Sequence, residues 1–124
     1  MENFVIIVEG KNDRARLSRL LSDEVPIYCT YGTPGEDQMD QLIRLVGDRT
    51  VYIFTDHDSP GKRIRSMLRD AFPEAGQLYT KPGYAGVEGT PDEHLIRQLE
   101  KAGLEEYIVY PEPGLNESSG SFNG

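Results

Sequence analysis

Val51-Tyr-Ile-Phe-Thr55 runs without a break into Asp56-His-Asp-Ser-Pro-Gly61, and the reading of this passage decides the fold. A short apolar, aromatic and β-branched run that stops at a cluster of turn formers has the pattern of a strand buried on both faces of a parallel sheet. The same pattern stands at the N-terminus, where Phe4-Val-Ile-Ile-Val8 stops at Glu9-Gly10. Between these two strands the periodicity becomes helical. Asn12 or Asp13 can cap a helix carrying Ala15, Leu17, Leu20 and Leu21 on one face, and Pro26 to Cys29 predicts a short strand. Tyr31-Gly-Thr-Pro-Gly35 then carries turn signals, and Met39, Leu42, Ile43, Leu45 and Val46 predict a second helix ending near Gly47.

Beyond Gly61 the pattern repeats. Ile64, Met67, Leu68 and Ala71 recur at helical spacing, and Gln77 to Thr80 predicts a fourth strand. A glycine-rich stretch, Lys81 to Gly89, reads as a mobile loop. After it, Thr90 as N-cap, Pro91 at the first helical position and Glu93 closing a capping box predict a helix to about Ala102. Strands alternating with helices in this way predict an α/β fold: a central parallel sheet of about four strands with helices on both faces. Residues 1–113 are expected to form a single domain, and 114–124, rich in Ser, Gly and Asn, a peripheral C-terminal tail.

The bulk properties narrow the chemistry. A chain of 124 residues with 37% hydrophobic content supports one modest core. The absence of a long apolar run or a basic leader predicts a cytoplasmic protein without a membrane partner. Cys29 is the only cysteine, which excludes an internal disulfide and any multi-cysteine metal site. A formal charge of −8 opposes loose adhesion to phosphate backbones, so nucleic acid would need a local basic patch and a bound cation.

Oxygen ligands for such a cation are present. Asp56 and Asp58, separated by one residue at a strand end, can face the same way and share a hard cation, Mg²⁺ or alternatively Mn²⁺. Glu9 ends the other apolar strand, and ligands of parallel sheets gather at the carboxyl ends of the strands. Gly61 allows close backbone approach, and Lys62, Arg63, Arg65 and Arg69 place cations on the helix that follows; of these, Lys62 and Arg65 join Lys11 as the candidates for phosphate contact. Glu88 is a candidate auxiliary metal ligand. His57 and His94 are expected to pack or face solvent, and Cys29 to be a small buried residue.

Val8-Glu-Gly-Lys-Asn-Asp13 and Thr55-Asp-His-Asp-Ser-Pro-Gly61 together resemble the two signatures of the Toprim domain, which is shared by topoisomerases, bacterial primases, OLD-family nucleases and recombination-repair proteins. The resemblance implies a compact Rossmann-like sheet, a glutamate acting as general acid or base at Glu9, and an Mg²⁺-binding pair at Asp56 and Asp58. With Gly86-Val-Glu-Gly89, the pattern is similar to the Toprim part of the bacterial ribonucleases that mature 5S ribosomal RNA; no counterpart of their C-terminal RNA-binding region is expected here. The implied function is an Mg²⁺-dependent nuclease acting on RNA or single-stranded DNA, with Glu9 and Lys11 as the catalytic pair. The rival expectation is a non-catalytic binding module or a subunit of a larger nucleic-acid-processing complex, with a protein partner. Covalent strand passage is not expected, because nothing stands in for the domain that supplies the attacking tyrosine.

Overall fold

A computed structural model describes residues 3–55, 59–80 and 86–111. Its elements alternate: β1 (Phe4–Val8), α1 (Lys11–Ser18), β2 (Ile27–Cys29), α2 (Glu36–Val46), β3 (Thr50–Thr55), α3 (Ser59–Ala71), β4 (Gly76–Tyr79), α4 (Gly86–Gly89) and α5 (Asp92–Lys101), followed by a 3₁₀ turn at Glu105–Tyr107. The strands form one four-stranded sheet in the order β2-β1-β3-β4, every pairing parallel. The expected α/β architecture is therefore present.

The alternation of β1 explains why both faces are covered. Phe4, Ile6 and Val8 pack with Leu17 of α1 and Leu20 just beyond it, Val87 of α4 and Leu95 and Leu99 of α5. Val5 and Ile7 point the other way, against Leu42 and Val46 of α2 and Ile64 and Leu68 of α3. An uninterrupted apolar run is what a strand covered on both sides requires. The chain steps from β1 to β2 in one direction and from β2 past β1 to β3 in the other. With crossovers of one hand, opposite steps must place α1 and α2 on opposite faces, as they are.

Several local readings are corrected. Gly10, and not Asn12 or Asp13, is the N-cap of α1; Asp13 sits in the first turn, where its Oδ2 accepts from the Gly10 amide at 3.0 Å. Ala15, Ile43 and Leu45 fit the helical period but are exposed, because each lies on the solvent side of its stripe. α5 starts one residue later than expected, with Pro91 as N-cap, and Thr90 is buried beneath it. The glycine-rich stretch is not loop throughout: residues 86–89 form a helical turn that seats Val87 in the core. Residues 81–85 and 112–124, with the expected tail, lie outside the described residues.

Polar side chains fix the periphery. Arg16 joins α1 to the start of α5, with Nη2 donating to the Thr90 carbonyl at 2.5 Å and to Asp92 at 2.6 Å. Arg49 closes α2, donating to the Leu45 carbonyl at 2.7 Å and the Val46 carbonyl at 3.1 Å. The segment after the 3₁₀ turn lies along the α1–β2 connection: the Ser22 amide donates to the Tyr107 carbonyl and the Val109 amide to Leu20.

Candidate metal and phosphate site

The order β2-β1-β3-β4 reverses direction at β1, which places the switch point between the carboxyl ends of β1 and β3. Glu9 is the first residue after β1. In the register, Val8 faces Cys29 on one side and Phe54 on the other, so Glu9 falls level with Thr30 and Thr55. The ladder continues past the strand ends, since the Thr30 amide donates to the Val8 carbonyl at 3.0 Å. Glu9 is half-buried. Its carbonyl accepts from the amides of Tyr31 at 2.7 Å and Gly32 at 3.4 Å, which anchors the main chain at this point to the loop after β2.

Thr30 and Thr55, the two neighbours in this row, are buried, and their hydroxyls have no hydrogen-bond partner among the described residues. Unpartnered hydroxyls are unusual in a packed interior, and a bound water or ion is one cause of them. β3 ends at Thr55, level with Glu9. Asp56, His57 and Asp58 themselves lie outside the described residues. Among the described residues no group of three His, Cys, Asp or Glu side chains is arranged to hold a metal.

Lys11 and Lys62 are exposed, Lys11 in the first turn of α1 and Lys62 in that of α3. Gly61, in the first turn of α3, is buried. The main chain of Glu88 belongs to α4, which packs on α1 and β3; its side chain is outside the described residues. His94 packs at the edge of β4, its Nε2 lying 3.2 Å from the Tyr79 carbonyl, in keeping with a structural role. Cys29 is half-buried, with Sγ donating to the Gly10 carbonyl at 3.4 Å.

Arg65, expected as a phosphate contact, is instead a clamp on the sheet. The residue is 8% exposed, and Nη2 donates to the carbonyls of Leu78 at 2.6 Å and Thr55 at 3.3 Å, while Nη1 donates to Gln77 Oε1. Its guanidinium stacks 4.4 Å from the centroid of the Tyr79 ring. Burial pushes the guanidinium below the usual arginine value, Tyr79 offsetting this in part. A planar donor fork suits convergent carbonyls better than the point charge of a lysine would. Arg65 thus joins the carboxyl ends of β3 and β4, the edge from which residues 56–58 depart. On a helix rich in arginine, nothing in the spacing distinguishes this clamp from its solvated neighbours.

Residues 4–86 match the Toprim domain family. The chain is similar to the Bacillus subtilis protein YusF, 32% identical over 108 residues that cover 87% of this chain and 74% of that one. It is also similar to ribonuclease M5 of Lactococcus lactis, 36% identical over 70% of this chain and 42% of the enzyme, and to ribonuclease M5 of Fusobacterium nucleatum, 33% identical over 79% and 57%. The chain therefore spans about half the length of these ribonucleases. Among solved structures, a small TOPRIM domain protein from Bacillus stearothermophilus matches with a TM-score of 0.77 at 32% identity, over 88% of this chain and 91% of that one. With the parallel sheet, the Glu-Gly-Lys turn after its inner strand and a family match that spans the sheet, the chain belongs to the Toprim domain family.

Proposed function

We propose that the chain carries out Mg²⁺-dependent phosphodiester cleavage on nucleic acid. The observation that carries this reading is the position of Glu9, at the switch point of the sheet and level with the end of β3, where the chain enters Asp56-His-Asp58. The similarity to ribonucleases M5 supports RNA as a substrate class, with single-stranded DNA as the other.

The residues fit a hard cation. The donors Asp56, Asp58, Glu9 and Glu88 are all carboxylates, which suit Mg²⁺ or Mn²⁺, and two buried hydroxyls without partners among the described residues stand in the row of Glu9. When bound, the cation supplies electrostatic stabilisation of charge developing on the phosphoryl oxygens. Glu9, held through its main chain by the loop after β2, takes the proton from attacking water or returns one to the leaving oxygen. Lys11, Lys62 and the backbone at Gly61 orient the phosphate. Arg65 positions the strand ends and touches no substrate.

The test is cleavage of labelled structured RNA, single-stranded RNA, single-stranded DNA and supercoiled plasmid with Mg²⁺ or Mn²⁺, comparing the unmodified protein with Glu9→Gln. Metal-dependent cleavage that Glu9→Gln lowers by about 10²-fold or more supports the assignment. Cleavage that survives the substitution unchanged refutes the role of Glu9. No cleavage, with metal binding that Asp56→Asn abolishes, replaces the reading with a binding module that works through a partner chain.

A further inference from the structure

Beside Glu9 the outer edge of β2 opens into a groove of about 310 Å³ between α1 and α2. Arg14 stands on its α1 side, Cys29 and Tyr31 on the strand side, and Gln41, Leu42 and Leu45 on α2. Tyr31 is the one non-glycine residue with positive φ among the described residues, at 56°. Left-handed backbone is disfavoured for a bulky side chain, and such strain persists only where the surroundings hold it. What holds it is the Glu9 carbonyl, which binds the Tyr31 amide at 2.7 Å. The ring gains little burial in return, since Tyr31 remains 65% exposed. The hydroxyl reaches Cys29, but the exposed ring face itself packs against little, so folding explains the turn and the hydroxyl but not the aromatic face. Glycine would make the same turn without strain.

The other walls supply what a nucleotide requires. The Arg14 guanidinium and the Gln41 amide have no hydrogen-bond or ion-pair partner among the described residues. Together the groove offers a cation for phosphate, an amide for a base edge, an apolar floor from Leu42 and Leu45, and an aromatic face for stacking. In a chain of net charge −8, Arg14, which has no ion-pair partner among the described residues, stands with Lys11 on α1 beside Asp13 and offers a cation to an anionic ligand.

Resting on the proposed phosphodiester chemistry at Glu9, we propose that this groove binds one unpaired nucleotide of a single strand, the base stacked on Tyr31 and its phosphate held by Arg14. The nucleotide is a neighbour of the cleaved bond in the same strand. Because stacking needs an exposed base face, the subsite selects single-stranded segments over duplex.

The test uses the whole chain with Ca²⁺ in place of Mg²⁺, fluorescently labelled single-stranded RNA and DNA oligonucleotides of equal sequence, and a blunt duplex, read by anisotropy. Tyr31→Gly is the informative substitution, because it removes the ring while relieving the backbone. It is expected to weaken single-strand binding about tenfold or more, with an unchanged or higher Tm. Tyr31→Phe retains binding, and Arg14→Ala lowers both affinity and its salt dependence. Bound oligonucleotide also slows alkylation of Cys29 in the groove. Preference for RNA over DNA, or equal binding of both, supports the subsite and tells whether the sugar is read. Equal single-strand affinity for Tyr31→Gly and unmodified protein, or a Tm that falls on that substitution, overturns the inference while leaving the chemistry at Glu9 intact. An unmodified protein that neither binds nor cleaves any of these strands refutes the functional reading itself.

Discussion

Arg65 and Leu78 are joined by a 2.6 Å hydrogen bond from guanidinium to main-chain carbonyl, made in a buried environment at the carboxyl end of the sheet. The donor belongs to α3 and the acceptor to β4, and the same Nη2 reaches Thr55 of β3. Arg65→Met leaves these carbonyls buried without a donor. The expected loss of stability is about 2–3 kcal/mol, and Arg65→Lys recovers only part of it, because an ammonium cannot span all three acceptors. Urea unfolding of the three proteins decides this: a midpoint unchanged in Arg65→Met would show that the clamp is dispensable.

Gly76 opens β4 directly against the ring of Tyr52. A Cβ at this position would lie 2.6 Å from Tyr52 Cδ1, closer than carbon atoms can approach. Tyr52 also donates through its hydroxyl to the Ala102 carbonyl at 3.3 Å, so the ring cannot move away without losing that bond. Gly76→Ala is expected to cost about 1–3 kcal/mol, and the cost should shrink when combined with Tyr52→Leu. A thermal-melt double-mutant cycle with no coupling would contradict the contact.

Thr30 and Thr55 make the opposite prediction. Replacing either with the similarly shaped valine removes a buried hydroxyl that has no partner among the described residues. Metal-free protein carrying Thr55→Val or Thr30→Val should be as stable as the unmodified chain, or more stable by about 1 kcal/mol. A destabilisation of that size in chemical denaturation would mean the hydroxyl is bonded after all.

Cys29 should behave as a sluggish thiol. Burial, the largest influence, raises it above its ordinary value of 9.0, while the positive charge of Arg14 and a hydrogen bond from Tyr31 pull it partly back. Its folded value lies above its unfolded one, so the thiol's contribution to stability is complete below pH 9 and is lost as pH rises through the folded value. Iodoacetamide labelling of native protein should therefore reach half-maximal rate above pH 9, and labelling in urea at a lower pH. Coincident profiles would remove the basis for this expectation.

The strands were legible because burial on both faces leaves apolar runs that admit few other readings: Phe4 to Val8 and Val51 to Thr55 appear as strands almost to the residue. The position of Glu9 at a strand end was legible for the same reason, as the first polar residue after such a run. Helix faces were less so. Ile43 and Leu45 share the period of Leu42 and Val46, and only the angle at which α2 meets the sheet decides which of them is covered. The clamp made by Arg65 is not legible in the sequence, because its partners are strand-end carbonyls that come together only in the folded sheet. The turn at 86–89 was masked by its glycines; Val87 alone signalled a buried contact. Tyr31 reads in the sequence only as the start of a turn, since its positive φ is a backbone angle that the turn Tyr31-Gly32 permits but does not announce.

The all-parallel sheet has a consequence for how the chain folds. No two of the four described strands are joined by a hairpin; even the pair closest in sequence, β1 and β2, is separated by the whole of α1, and β1 meets β3 only across α1, β2 and α2. Every pairing must therefore close a long loop before its hydrogen bonds repay the lost chain entropy, and the inner pair closes the longest. Substitutions that loosen the docking of β3 on β1 should accordingly register first as slower refolding, in the arm of the chevron that reports on how the sheet is assembled.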